Sequence, residues 1–239
     1  MVNQYTGIVE YYDLLMTSGY YDYSGLADKV HSVVGKDRLI LELGVGTGLL
    51  AEKYIEMEPN CDFTGIDFSP AMLKIAKKRL GNRIKLIEVD AVIMDLNTEF
   101  DAAISNGGVW LFIQLGEQLE LSSHITDIEA NRKGLENVSR HLRKGGLLLI
   151  SKQKLLGNYE KYLPGGIVYS QFFEEGEDMG NYHTRQKNYI FKKDGEILAQ
   201  DQLTITVFKP EGYRQLFSEA GFELQGTYNS DHFIVYKKR

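Results

Sequence analysis

The sequence predicts an α/β protein: a doubly wound, mostly parallel, seven-stranded sheet with an antiparallel β lid inserted after the fifth strand. Three observations predict it. Residues 38–151 alternate short apolar runs with helix-length stretches, the pattern of parallel strands joined by helical crossovers. The first run, Leu39-Ile40-Leu41-Glu42-Leu43, ends in a glycine turn, Gly44-Val45-Gly46-Thr47-Gly48, that opens a helix. After residue 151 the chain changes to long strand-like stretches, two of them joined by Asp194-Gly195, a two-residue hairpin signal.

Composition narrows the function classes. At 239 residues the chain suits one large domain or one domain with an elaborated lid, and 43 % hydrophobic with 25 % charged content is ordinary for a globular chain. The reading divides it into 1–151, an N-terminal helical segment and α/β core, 152–208, a β-rich lid, and 209–239, a helix and hairpin completing the sheet. A net charge of −6 argues against a broad nucleic-acid footprint. No apolar run approaches the roughly 18 residues of a membrane span, so no membrane partner is expected. The single cysteine, Cys61, excludes an intramolecular disulfide and a cysteine zinc site, and no metal is expected. With no basic-then-apolar N-terminal pattern, the expected location is cytoplasmic.

Residues 5–34 open with tyrosines 5, 11, 12, 20, 21 and 23 and continue with Leu26, Val30, Val33 and Val34 near helical spacing. Strands are then expected at 38–43, 62–67, 84–89, 100–105 and 146–151, with helices at 48–57, 70–80 and about 126–143. Ligands of a doubly wound sheet sit beyond the carboxyl ends of its strands. Three acids, Glu42, Asp67 and Asp90, close three successive strands. Asp67, before the Ser69-Pro70 helix start, can accept both hydroxyls of a ribose. Asp90, followed by the small Ala91, can accept from an exocyclic amine and leave room for a flat base.

The fourth strand runs into Asn106-Gly107-Gly108-Val109-Trp110-Leu111-Phe112, where glycines allow close approach and aromatics exclude water. Residues 113–128 read as an extra loop or short arm, with His124 in a surface loop. In the lid, strands are expected at 167–173, 181–193 and 196–208. His183, Arg185, Lys187 and Tyr189 share one face of the middle strand and Tyr182 lies on the other. A helix at 211–220 and strands at 222–225 and 233–236, separated by a turn, finish the chain.

The motifs L-E-L-G-V-G-T-G, G-I-D-F-S-P-A-M-L, E-V-D-A, F-D-A-A-I-S-N and L-R-K-G-G-L-L-L-I-S, in that order, resemble the class I S-adenosylmethionine-dependent methyltransferases, whose core is Rossmann-like. The resemblance covers most of 36–151 and the 211–236 tail. It implies S-adenosyl-L-methionine as cofactor, with Gly44 and Gly46 passing its methionine part, Asp67 on the ribose, and Asp90 with Ala91 at the adenine. Ser105, Asn106 and Gly107 would face the methyl side, with Glu42, Val45, Phe68 and Met72 completing the cofactor set. Y-Y-D-L-L followed by Y-D-Y, and the β-rich insertion, are similar to small-molecule N-methyltransferases of amino sugars; glycine and sarcosine methyltransferases share the general layout. That likeness singles out Tyr12 and Tyr23 as candidates to touch cofactor or acceptor.

The expected function is methyl transfer to an amine or hydroxyl of a small molecule by in-line displacement. His183 is the expected proton-accepting helper, with Tyr12, Trp110, Tyr182 and Arg185 against the substrate. No P-P-Y-type motif of nucleobase amino-methyltransferases occurs, so no nucleic-acid partner is expected; the chain is compatible with a homodimer. The alternatives are a protein or RNA methyltransferase and a cofactor-binding protein with a non-methylating role.

Overall fold

The computed structural model describes residues 5–36, 38–154, 157–226 and 232–239. Helices α1 (Val9–Leu15) and α2 (Tyr23–Val34) flank a wide turn, Met16–Tyr20, and Asp22 caps α2 by accepting from Gly25 N. The core alternates β1 (Leu39–Leu43), α3 (Leu49–Met57), β2 (Asp62–Asp67), α4 (Pro70–Leu80), β3 (Lys85–Glu88) and β4 (Phe100–Ser105). A hairpin follows, β5 (Trp110–Leu115) and β6 (Gln118–Ser123), then α5 (Ile128–Arg140) and β7 (Leu142–Lys154). The lid is β8 (Tyr159–Leu163), β9 (Ile167–Asp178), β10 (Tyr182–Lys193) and β11 (Glu196–Phe208). The chain returns through α6 (Pro210–Glu219), β12 (Phe222–Gly226) and β13 (Phe233–Lys238); the turn expected between the last two strands lies outside the described residues.

The core is doubly wound because its strands are apolar on both faces. Leu41, Leu43, Ala103, Leu148 and Ile150 point toward α5 and α6, packing with Leu135, Val138, Leu216 and Phe217. The alternate residues Ile40, Ala102, Ile104 and Leu149 meet Leu26 and Val30 of α2, Leu50 and Tyr54 of α3, and Leu80 of α4. Strands β3, β2, β1, β4 and β7 lie side by side in parallel; β13 runs antiparallel on β7 and carries β12. A third cluster ties the N-terminal segment to the lid: Ile8, Leu15 and Met16 pack with Tyr169, Tyr189 and Phe191.

The lid is not a separate sheet. Among the described residues thirteen strands form one sheet in the order β3-β2-β1-β4-β7-β5-β6-β11-β10-β9-β8, with β12 and β13 branching from β7. The junction is β7 itself. Its apolar stretch 147–150 pairs with β4, and its polar continuation, Lys152 to Lys154, pairs with β5. Residues 113–128, expected as a loop or arm, contain the second half of the β5–β6 hairpin, turned at Gly116 with φ 57°. Helix α5 ends earlier than expected because Leu142 already pairs with Phe100, and Gly145 (φ 76°) bends the strand instead of stopping the helix. Strand β8 was not expected.

Candidate active site

The glycine turn after β1 is held from two sides. Gly46 N donates to Asp67 Oδ2 at 2.8 Å and Val45 N to Ile66 O at 2.9 Å, so β2 fixes the turn. Across the site, Gly44 packs backbone to backbone on the turn after β4. A Cβ on Gly44 would lie 2.7 Å from Gly108 Cα, and one on Gly108 would lie 2.3 Å from Leu43 O. Both positions therefore require glycine, and the pair brings bare backbone to the carboxyl ends of β1 and β4.

Beyond these ends lies a cavity of about 300 Å³. Of the residues expected there, Gly44, Gly46, Asp67, Phe68, Met72, Asp90, Ala91 and Gly107 line it. Tyr12, Tyr23, Glu42, Val45 and Asn106 line a small recess of about 30 Å³ beside it. Asp67 is nearly buried, and its Oδ1 accepts from Ser69 N at 2.8 Å. Burial raises its pKa, and N–H groups of Ser69, Gly46 and Phe68 oppose that rise. Glu42 is buried and its Oε2 has no hydrogen-bond partner. Burial, then the charge of Asp67, pushes its pKa well above the ordinary carboxylate range. Asp90 is half-exposed and its Oδ1 accepts from Val92 N at 2.8 Å.

An inner chamber of about 80 Å³ adjoins this cavity beneath the lid, and Tyr5, Tyr12, Gly107 and His124 line both. His124 Nδ1 donates to Gly108 O, which fixes the tautomer, so Nε2 accepts from Tyr5 OH at 3.0 Å. The Tyr5 hydroxyl stands 3.5 Å from that of Tyr189. Burial lowers the His124 pKa to about 4 and Lys187 adds to the effect. The imidazole is therefore neutral at neutral pH. Burial also raises the Tyr5, Tyr12 and Tyr21 hydroxyls, which stay protonated.

Five of the expected site residues lie elsewhere. Ser105 lines none of these spaces: its Oγ donates to Trp110 O and accepts from the amides of Val109 and Trp110, bracing the turn. Trp110 is core, fully buried, with Nε1 donating to Asn131 Oδ1 at 3.0 Å. Tyr182 packs against Phe208, ring centroids 6.0 Å apart. His183 stands 3.9 Å from Glu175, and Arg185 Nε lies 2.9 Å from the same carboxylate. The chamber instead lies under the far end of that face, at Lys187 and Tyr189. The residues missed by sequence reading, Tyr5 and His124, carried weak signals: one tyrosine among many, and a histidine after Ser122-Ser123 whose strand had not been recognised.

A family model described as a methyltransferase domain matches residues 40–146. The malonyl-[acyl-carrier protein] O-methyltransferase of Bacillus cytotoxicus is 31 % identical over 229 residues, covering 74 % of this chain and 78 % of that protein. Malonyl-[acyl-carrier protein] O-methyltransferase 1 of Ilyobacter polytropus is 32 % identical over 105 residues, 42 % of this chain but only 38 % of that protein's length. Among solved structures, the SAM-bound amino pentose methyltransferase CalS10 of Micromonospora echinaspora superposes with a TM-score of 0.67. It matches over 99 % of both chains at 20 % identity, a likeness of fold.

Proposed function

Because the chain belongs to the class I S-adenosylmethionine-dependent methyltransferases, we propose that it methylates an amine or hydroxyl of a small molecule by in-line displacement beneath the lid. The observation that carries this reading is the joining of two spaces. The acids that close β1, β2 and β3 line one cavity and the recess beside it, and that cavity shares Tyr5, Tyr12, Gly107 and His124 with a tyrosine-lined chamber.

The residues fit the cofactor. Asp67 would hold the ribose hydroxyls on lone pairs not used by Gly46 and Ser69. Asp90 and Ala91 would meet the adenine, with Ile93, an apolar residue 67 % exposed at the cavity, against the base. The unpartnered, buried Glu42 suits the amino group of the methionine part, because a cation there would offset the cost of burying its charge. Gly46, whose missing Cβ faces open space, and Gly44 and Gly107 beside it leave bare backbone along which the methionine chain would pass.

When bound, the cofactor supplies a methyl group already activated by a sulfonium, so this chain has to align the acceptor, exclude water and receive a proton. Alignment can be worth roughly 7–11 kcal/mol, against about 10²–10⁴-fold for a general base. His124, rather than His183, is the nitrogen at the junction of the two spaces. Held near pKa 4, it is a weak base at neutral pH and acts mainly by orienting the acceptor through Tyr5. That favours an amine, which needs little help beyond losing a proton, over a hydroxyl. An amino sugar, as the name of CalS10 describes for that protein, is one such acceptor.

The test supplies methyl-labelled cofactor to four panels: small amines including amino sugars, small hydroxylated molecules, acyl-carrier protein, and tRNA. Release of S-adenosylhomocysteine with label in either small-molecule panel supports the reading. Label confined to carrier protein or tRNA would overturn it.

A further inference from the structure

We propose that the acceptor carries an anionic group, a carboxylate or a phosphate, and that Lys187 seats it in the inner chamber. The inference rests on the methyl-transfer reading and adds the charge class of the molecule that enters.

The lining of the chamber contains two lysines, Lys154 and Lys187, and no carboxylate. Lys187 rises from β10, and its Nζ lies 4.5 Å from the centre of the Tyr189 ring and 5.7 Å from that of Phe173. Lys187 is partly buried and lines the chamber. Aromatic faces stabilise a cation by about 0.5–2 kcal/mol, less than the several kcal/mol that burying an ion costs. The shortfall shows in the ammonium, which burial alone lowers to about 8. At neutral pH it is still mostly protonated, so what it offers a ligand is positive charge.

Nothing within the described residues supplies the missing anion. Among the described residues no aspartate or glutamate forms an ion pair with Lys187. Of the acids on the neighbouring strands, Glu175 is beside Arg185, Glu174 accepts from Asn188, Asp178 pairs with Lys209 and Asp201 accepts from Gly7 N and Ile8 N. Glu120 of β6, buried with its Oε2 unpartnered, does not line the chamber. The Lys187 charge contrasts with the cofactor cavity and recess, where four acids, Glu42, Asp67, Asp90 and Asp127, stand without a lysine or arginine in the lining. A neutral acceptor would shed the water around Lys187 and return nothing for it. An anionic acceptor would make a charge-assisted hydrogen bond, and its far end would then lie toward Tyr5 and His124 on the cofactor side. Lys187 is thus a specificity-determining residue.

The test follows the Lys187 ammonium by side-chain NMR in protein loaded with S-adenosylhomocysteine, the loading being verified by calorimetry. Sodium acetate and inorganic phosphate are titrated in separately at matched ionic strength. One of them is expected to move the Lys187 titration upward, toward the ordinary lysine value of about 10.4. The same probe is expected to bind Lys187→Met at least about tenfold more weakly, with affinity restored in Lys187→Arg. A response to acetate alone points to a carboxylate, and a response to phosphate alone to a phosphate ester. The proposal is overturned if neither probe moves the Lys187 titration, or if Lys187→Met binds the probe as wild type does. If S-adenosylhomocysteine itself fails to bind, the methyl-transfer reading falls instead, and the same titrations on the free protein decide the anion site.

Discussion

Replacing Glu42 with Gln should make the protein more stable and the cofactor weaker, two opposite effects from one atom. Glu42 is 3 % exposed, and its Oε2 has no partner. An unsatisfied buried polar group costs about 1–3 kcal/mol, and more when charged. An amide of the same shape stays unpaired, so what is recovered is the extra cost of the charge, about 1–3 kcal/mol, a rise in melting temperature of roughly 2–12 °C for a chain this size. The pH dependence has a defined sign. A carboxyl whose folded pKa is raised contributes stability below its unfolded pKa and loses it as pH climbs through the folded value. Wild type and Glu42→Gln should therefore melt together below about pH 4, the ordinary glutamate value, and diverge above the ordinary carboxylate range. Binding moves the other way. A hydrogen bond to a charged group is worth about 1.5–3 kcal/mol, so the Kd for S-adenosylmethionine should rise roughly 10- to 150-fold. Differential scanning fluorimetry across pH and titration calorimetry measure the two halves. A lower melting temperature in Glu42→Gln, or an unchanged Kd, would refute the reasoning.

Asp67→Asn should also weaken the cofactor by about tenfold or more, because an amide cannot accept on both sides from Gly46 N and Ser69 N and still serve a ribose; calorimetry beside a normal circular dichroism spectrum checks it. Gly108→Ala places a methyl 2.3 Å from Leu43 O and 2.7 Å from Gly44 O, backbone atoms that no rotamer change can move. Its cost should reach about 1–3 kcal/mol, and cofactor affinity should fall with the melting temperature. Gly46→Ala would meet no atom within 4 Å and separates steric crowding from φ strain, since its φ of 56° also disfavours a side chain. His124→Asn keeps a donor for Gly108 O but removes the nitrogen that accepts from Tyr5. In wild type this buried histidine, lowered from 6.5 to about 4, costs stability as pH falls through that interval because the unfolded chain takes up the proton first. The loss is about 3 kcal/mol, and His124→Asn should not show it in acid melts.

Much of this site was legible because its signals are local. Glycine at 44, a strand-end acid at 67 and a Ser-Pro helix start at 69–70 each report on the backbone within a few residues, and the doubly wound core follows from the alternation around them. The lid was legible only as period 2. His183, Arg185, Lys187 and Tyr189 do share a face, but pairing register decides which end of that face meets the chamber, and register is set by strands distant in sequence. Trp110 illustrates the same limit. Its glycine-rich neighbourhood suggested a pocket wall, whereas Asn131, on α5, captures its indole N–H and draws the ring into the core. The sequence around His124 mixes apolar and polar residues and suggests a surface loop; because β6 pairs with β5 and β11, the residue after it is carried beneath the lid.

The two spaces divide charge as well as volume. Three acids stand on the side of β1, β2 and β3, and the lysines stand on the side of β7 and β10. Between them lie only neutral groups: Tyr5, Tyr12 and an imidazole that burial keeps unprotonated. A cationic cofactor part and an anionic acceptor part would each find its counter-charge at opposite ends, and the reacting atoms would meet where the protein itself is uncharged. Such a middle is where in-line transfer gains most from excluded water, since no fixed protein charge has to be desolvated at the point of reaction. The neutrality of His124 belongs to this arrangement. A protonated imidazole at the junction would add a second cation beside the sulfonium; burial, helped by the charge of Lys187, keeps the ring neutral against the Gly108 carbonyl, which favours the proton.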